Sequence, residues 1–299
     1  GQLLEAHHAL WPTLSAMGRS LQAIVHMEQG LALYDRNRHG TSAFLYGGHD
    51  PGACCRWFLG MNRWLMGYPD RALNDQQDAL RLAEELEHPQ TTVIALWHGA
   101  WVHYQRGERE LAVADVDRLT SLIELHGISG WTDFPNVLMQ TMKHERTSLD
   151  TIGELHRPLA SMQIAAHRKM VCICILAGLC VELGYAEEGL QMLRSIPEEH
   201  RGVSFAPEIL RLEGELLLKQ EQPDFDEAKR RFHEAIDLAR GRHEKSLELR
   251  AATSLARLLD RQGKREEAHA TLAGVYGWFT EGFGTADLKA AKALLETLA

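Results

Sequence analysis

Proline is scarce in this sequence, nine residues in 299, so long stretches are free of the side chain that most reliably breaks a helix. Cysteine is scarce as well. Five is an odd number in a chain of this length, which argues against a disulfide-stapled secreted fold and for the reducing cytoplasm. An excess of positive charge is missing: 32 Lys and Arg stand against 41 Asp and Glu, a net charge of −9, whereas general nucleic-acid binding needs a basic face. No apolar run reaches the roughly 18 residues that span a bilayer. The most apolar stretch, 170–183, is short and holds Cys172, Cys174, Cys180 and Glu182. A signal peptide is also absent. So is an initiating Met: Gly1 leads at once into the helical pattern "QLLEAHHAL", which reads as a segment of a longer protein. What remains, with a hydrophobic fraction of 45%, is the composition of a folded globular chain.

Glycine carries the organisation. The segments "LMGYPDRAL" (65–73), "QRGERELAV" (105–113), "ELGYAEEGL" (182–190) and "RQGKREEAH" (261–269) share one form. In each, an apolar-periodic stretch breaks at Gly67, Gly107, Gly184 or Gly263 and resumes with an acidic residue and then a small residue five after the glycine. Glycine ends a helix in the left-handed conformation at no steric cost, and the acidic residue suits the positive end of the next helix dipole. The spacing from Gly67 to Gly107 is 40 residues and from Gly184 to Gly263 is 79, about two periods, with "QPDFDEAKRRFHEAIDLA" (222–239) between. An earlier unit is "MGRSLQAIVHMEQGLALY" (17–34). A period near 40 with paired helices means a repeat array.

Small residues recur inside the units: Ala72 and Ala79, Ala228 and Ala235, and Gly60, Ala100, Ala177 and Ala256 seven before the turn glycines. This pattern resembles the tetratricopeptide repeat, with helices about a turn longer or looser connections. The expectation is an all-α tetratricopeptide-like α-solenoid, one domain over 1–299, of about seven helix pairs. Their first helices fall near 3–16, 52–66, 91–106, 133–146, 166–183, 206–220 and 245–262. The fourth unit, near 131–165, is degenerate because "KHERTSLDTIGELHRPLASM" has no glycine turn of the standard form. A capping helix at 285–298, with Thr285 as N-cap and Asp287 in the first turn, closes the open end.

Two segments carry a closer resemblance. "EKSLELRAATSLARLLDRQGKREEAHATLAGVYGWFTEGFGTADLKAAKALLETLA" (244–299) and "YGGHDPGACCRWFLGMNRWLMGYPDRAL" (46–73) resemble the C-terminal region of a group of bacterial multidomain proteins. There, a tetratricopeptide region follows a predicted ATPase module, with a class III nucleotide cyclase or winged-helix regulatory domain in front. The resemblance implies a sensory or regulatory region whose partners are a protein, a peptide or those attached domains. It implies no cyclase or ATPase activity for this region.

The residues that look like chemistry are better explained as structure. In "YGGHDPGACCRW" (46–57), Asp50 before Pro51 is the N-cap pattern of a helix, and adjacent Cys54 and Cys55 cannot both ligate one metal. His49 and Asp50 remain as loop contacts to a ligand. Gly263–Lys264 lacks the earlier glycine of a phosphate loop, because position 258 is Leu. Sixteen histidines include no HExxH, and His98 and His103, five apart, fall on different helix faces. No metal, cofactor or catalytic constellation is expected.

The tryptophans stand out. Trp57 and Trp64, then Trp97 and Trp101, lie in two neighbouring first helices, and the tetratricopeptide resemblance puts first helices on a concave groove. Aligned on the turn glycines, Trp57, Met61, Trp64, Trp97, Trp101 and Tyr104 would line that groove, and Arg211, Arg250 and Arg257 would line it in later units. Such a surface suits a peptide with an acidic end. The expected function is a non-catalytic protein- or peptide-binding regulatory scaffold. The alternatives are a small-molecule sensor using the same groove and, last, an enzyme. The competing reading of the tryptophans is plain interhelix core.

Overall fold

The computed structural model describes residues 1–40, 43, 48–142, 147–161 and 166–299. These residues form helices and no β-strand. The helices come in antiparallel pairs joined by short turns: α1 (Gln2–Ala16) with α2 (Ser20–Leu33), α4 (Pro51–Leu65) with α5 (Pro69–Glu85), and α6 (Pro89–Arg106) with α7 (Arg109–His126). Next come α8 (Asp133–Met142) and α9 (Leu149–Ser161), α10 (Ala166–Leu183) and α11 (Ala186–Arg194), α13 (Ala206–Leu217) and α14 (Phe225–Gly241), and α15 (Lys245–Arg261) and α16 (Arg265–Tyr276). A final helix, α17 (Ala286–Leu298), follows. Two single-turn helices, α3 (Arg36–His39) and α12 (Glu198–Arg201), lie in connections and have no periodic signal in the sequence. Of the expected fourth first helix, positions 143–146 lie outside the described residues.

The glycine pattern holds at the backbone. Gly67, Gly107, Gly184 and Gly263 have φ of 90°, 78°, 80° and 76°, the left-handed region. The residue after each returns its N–H to a carbonyl five residues back, as in Tyr68 N–H to Arg63 O (2.8 Å) and Lys264 N–H to Leu259 O (2.9 Å). The next helix then opens on an acid: Asp70, Glu110, Glu187 or Glu266. One cap differs from expectation. Thr285 occupies the N-cap position of α17, but its hydroxyl donates back to Gly282 O (2.8 Å) and makes no cap bond.

The small residues let the helices close up. Ala72, Ala79, Ala100, Ala177, Ala228, Ala235 and Ala256 are fully buried. At Gly60 a methyl group would stand 2.6 Å from Gln76 Nε2 and 3.0 Å from Ala72 O, and Gln76 Nε2 donates to Trp57 O at 2.9 Å. α17 packs on α15 and α16 and buries Leu288, Ala291 and Leu298, which closes the end of the array. No described helix is long and apolar enough to cross a membrane.

The chain forms two compact units, 1–135 and 136–299. The sequence pattern by itself marks one domain; the division falls inside α8, in the unit that lacks a standard glycine turn. Each unit is described by itself below.

Candidate functional site

In unit 1, α4 is enclosed by α1, α2, α5 and α6, and nearly every residue of α4 and α6 is buried. Trp57, Met61, Trp64, Trp97 and Trp101 are 0–5% exposed. The expectation that they line an open groove is therefore corrected: these side chains fill the interhelix core. Trp64 meets Trp101 edge-on at 5.2 Å and 80°. Trp97 packs on Phe134 at 4.6 Å, and Trp57 stacks on His98 at 5.2 Å and 16°. His98 is buried and its Nδ1 donates to Ile94 O at 2.8 Å. The physical reason is the enclosure of both helices, which turns the faces that carry these five side chains onto neighbouring helices. Tyr104, near the end of α6, is half-buried.

The loop before α4 behaves as its sequence suggests at Asp50. The carboxylate accepts from Ala53 N–H (2.8 Å) and from the Tyr34 hydroxyl (3.0 Å), while Asp50 N–H donates to Thr91 Oγ1 (3.1 Å). Asp50 is fully buried, and burial raises its pKa against these bonds. It is a cap and a tie between repeats, not a ligand contact. His49 is half-buried and lies against His8 and Trp57. Cys54 and Cys55 are both buried; the Cys55 thiol donates to Met27 O at 3.0 Å.

In unit 2 the arginines come together, but already partnered. Arg211 on α13 holds Glu208 through two bonds of 2.7 and 2.9 Å and reaches Glu215 at 3.6 Å. Arg250 on α15 holds Asp287 of α17 at 2.8 Å and approaches Glu208 at 3.6 Å. The hydroxyl of Ser254 donates to Glu215 at 2.5 Å. The strip thus runs along first helices, joining positions 39 apart, and ends on the capping helix. Two guanidiniums meet three carboxylates, a net of one negative charge. Burial raises the Glu208 pKa, but Arg211 and Arg250 together outweigh it and hold the carboxyl at about 2. Burial likewise pushes up the nearby Cys174 thiol. The expectation that Arg211 and Arg250 await an acidic ligand is corrected, because an incoming carboxylate would meet Glu208, Glu215 and Asp287. Arg257 is exposed two helical turns beyond Arg250 on α15. Sequence reading missed the carboxylates; the i, i+3 pairing of Glu208 with Arg211 was the available signal.

A second feature of unit 2 is a depression of about 570 Å³ lined by Leu149, Ile152 and His156 of α9 and by Glu188, Met192 and Ser195 at α11. Burial lowers the His156 pKa, helped by Lys169.

No family model and no curated protein matches the chain. Among solved structures, it is similar to a Rap protein complexed with competence and sporulation factor, with a TM-score of 0.59 and 14% identity over 100% of this chain and 88% of that one. It is also similar to the apo form of RapI (TM-score 0.42, 12% identity, 99% of this chain and 85% of that one). Yeast Tom70 follows (0.39, 14%, 99% and 81%). Of the three, the first likeness is strong enough to show a shared fold. The chain has the tetratricopeptide-like helical solenoid fold.

Proposed function

We propose that this chain is a non-catalytic peptide- or protein-binding scaffold and that it serves as the sensory or regulatory region of a larger bacterial signalling protein. The observation that supports binding is the fold likeness over the whole chain to a protein whose structure was solved with a bound factor. The larger setting, with an ATPase module and a cyclase or winged-helix domain ahead of this region, rests on the resemblance of 46–73 and 244–299. Three of the shifted acids have structural roles, which supports a non-catalytic reading: Asp50 caps a helix, Asp75 pairs with Arg63 and Glu208 with Arg211.

The binding surface we assign is the ionic strip on α13, α15 and α17. Its net negative charge and its excess of acceptors favour a peptide with a basic end or basic side chains. Selection from a random peptide library against the full chain tests this. Lysine- or arginine-bearing peptides should enrich, and their affinity should fall about 10-fold in Asp287→Asn and fall with added salt. Enrichment of acidic peptides, or binding indifferent to Asp287, sinks the assignment.

The depression between α9 and α11 favours a second reading, a small-molecule sensor, since its volume lies in the range of ligand pockets. Stabilisation of the chain by a metabolite and by no selected peptide would favour it.

A further inference from the structure

Three ligand-bearing side chains converge in unit 1 from separate elements. His8 comes from the second turn of α1, His49 from the loop before α4, and Cys54 from the first turn of α4. Their ligand atoms all lie within 4.8 Å of one another. We propose that His8, His49 and Cys54 bind a single transition-metal ion of the zinc class.

The distances suit such an ion. His8 Nε2 and His49 Nε2 are 3.1 Å apart. Zinc bonds of about 2.0–2.1 Å to nitrogen and 2.3 Å to sulfur, at tetrahedral angles, put ligand atoms roughly 3.3–3.6 Å apart. The two nitrogens already stand within a few tenths of an ångström of that spacing, and the thiol sulfur lies within 4.8 Å of both. The rings cross at 82°, so both nitrogens converge without their carbons colliding. Cys55, the adjacent thiol, turns away to Met27 O, and one sulfur is left facing the pair.

The outer shell has the form metal sites use. Glu5, one helical turn before His8, accepts from His8 Nδ1 at 3.1 Å. That bond fixes the proton on Nδ1 and leaves the Nε2 lone pair for a ligand role, the carboxylate–histidine arrangement that orients zinc-binding imidazoles. Trp11 stacks on His8 at 5.0 Å and Trp57 packs on His49 at 5.4 Å, so an aromatic ring flanks each imidazole. Two nitrogens and a sulfur select zinc or a neighbouring borderline ion over magnesium or calcium. On binding, the Cys54 thiol gives its proton to water and the sulfur takes the metal as thiolate. The fourth position is left to water or to a donor from a partner. A buried histidine pair alone would account for the 3.1 Å contact; what adds to it is a carboxylate on the far nitrogen of one imidazole and a thiol sulfur within 4.8 Å of both.

Cobalt(II) titration of the full chain tests the site. One equivalent should bind, with ligand-field bands of a four-coordinate ion and a thiolate-to-cobalt band, and zinc should displace it. Cys54→Ser should abolish the thiolate band. His49→Gln, on a half-buried loop position, should weaken binding about 100-fold or more with unchanged circular dichroism. Glu5→Gln should keep the band and weaken binding about 10–100-fold. His26→Gln and Cys180→Ser should change nothing. Absence of cobalt binding, a thiolate band that survives Cys54→Ser, or affinity indifferent to His49→Gln overturns the proposal, as does equal loss in His26→Gln. The peptide selection above is independent of each of these outcomes.

Discussion

Truncating Trp101 to alanine is expected to cost about 3–5 kcal/mol, the range for removing a large aromatic from a packed core. Its indole is 0% exposed and lies edge-on to Trp64, in a helix buried along most of its length. Urea denaturation of the variant, with the slope checked against wild type, measures the loss; a change under about 1 kcal/mol would return Trp101 to the surface. The sequence could show that four tryptophans share two first helices, since spacing is a one-dimensional property. It could not show which way they face. A hydrophobic stripe marks the inner face only when the opposite face is polar, and α4 carries apolar or small residues nearly all round: Ala53, Cys54, Trp57, Phe58, Met61 and Trp64 are all buried. The arginines failed for a related reason. Glu208 and Glu215 flank Arg211 at i−3 and i+4 on one helix and were readable by spacing, whereas the partners of Arg250, Asp287 and Glu208, lie on other helices and depend on how those helices stack.

At the level of the helix pair, the turn glycines were legible because their role is local. A left-handed φ needs glycine whatever surrounds it, so Gly67, Gly107, Gly184 and Gly263 mark four helix ends directly. Gly263 isolates the effect: a methyl group there would meet nothing within 4 Å, so only the φ of 76° opposes a side chain. Gly263→Ala should therefore destabilise by about 1 kcal/mol, and thermal unfolding should show a shift of a few degrees at most. A neutral or stabilising result would mean that the α15–α16 turn relaxes to a negative φ. Some connections without such a residue were unreadable, although the α13–α14 turn was marked by Pro223 and Asp224 instead. α3 and α12 each form one turn, too short for periodicity, and the α8–α9 connection carries no standard turn signal. The His8–His49 contact lies between an element and a loop one repeat later; the period near 40 brings those positions level, but nothing in either segment alone points to the other.

The whole chain should show an unusual stability profile with pH, because buried carboxyls in it are displaced in opposite directions. Glu208 is held at about 2, from an ordinary 4.5, because Arg211 and Arg250 outweigh its burial. Its contribution is present above pH 4.5 and is lost as pH falls towards 2. Glu244, the N-cap residue of α15, is wholly buried, and among the described residues neither of its carboxylate oxygens has a hydrogen-bond partner. Burial raises it from 4.5 to about 7, with Arg242 opposing only in part. The folded chain thus binds more protons than the unfolded one between these values, and stability falls as pH rises through them. In unit 1, burial raises Asp75 from 3.8 to about 6 despite its Arg63 partner, which adds a slope of the same sign. Each tenfold change in proton affinity is worth ~1.4 kcal/mol, so the Glu244 effect alone amounts to a few kcal/mol. These carboxyls should therefore contribute a decline in stability from about pH 5 towards about pH 8, against an opposite slope from the half-buried His88 and His156, whose pKa values are lowered. Glu244→Gln isolates the cause: an uncharged isostere cannot ionise, so urea denaturation of the variant should show a shallower decline between about pH 5 and 7 and a more stable chain at about pH 8. Parallel profiles for wild type and variant would mean that Glu244 is solvated or paired in solution, and that the decline has another source.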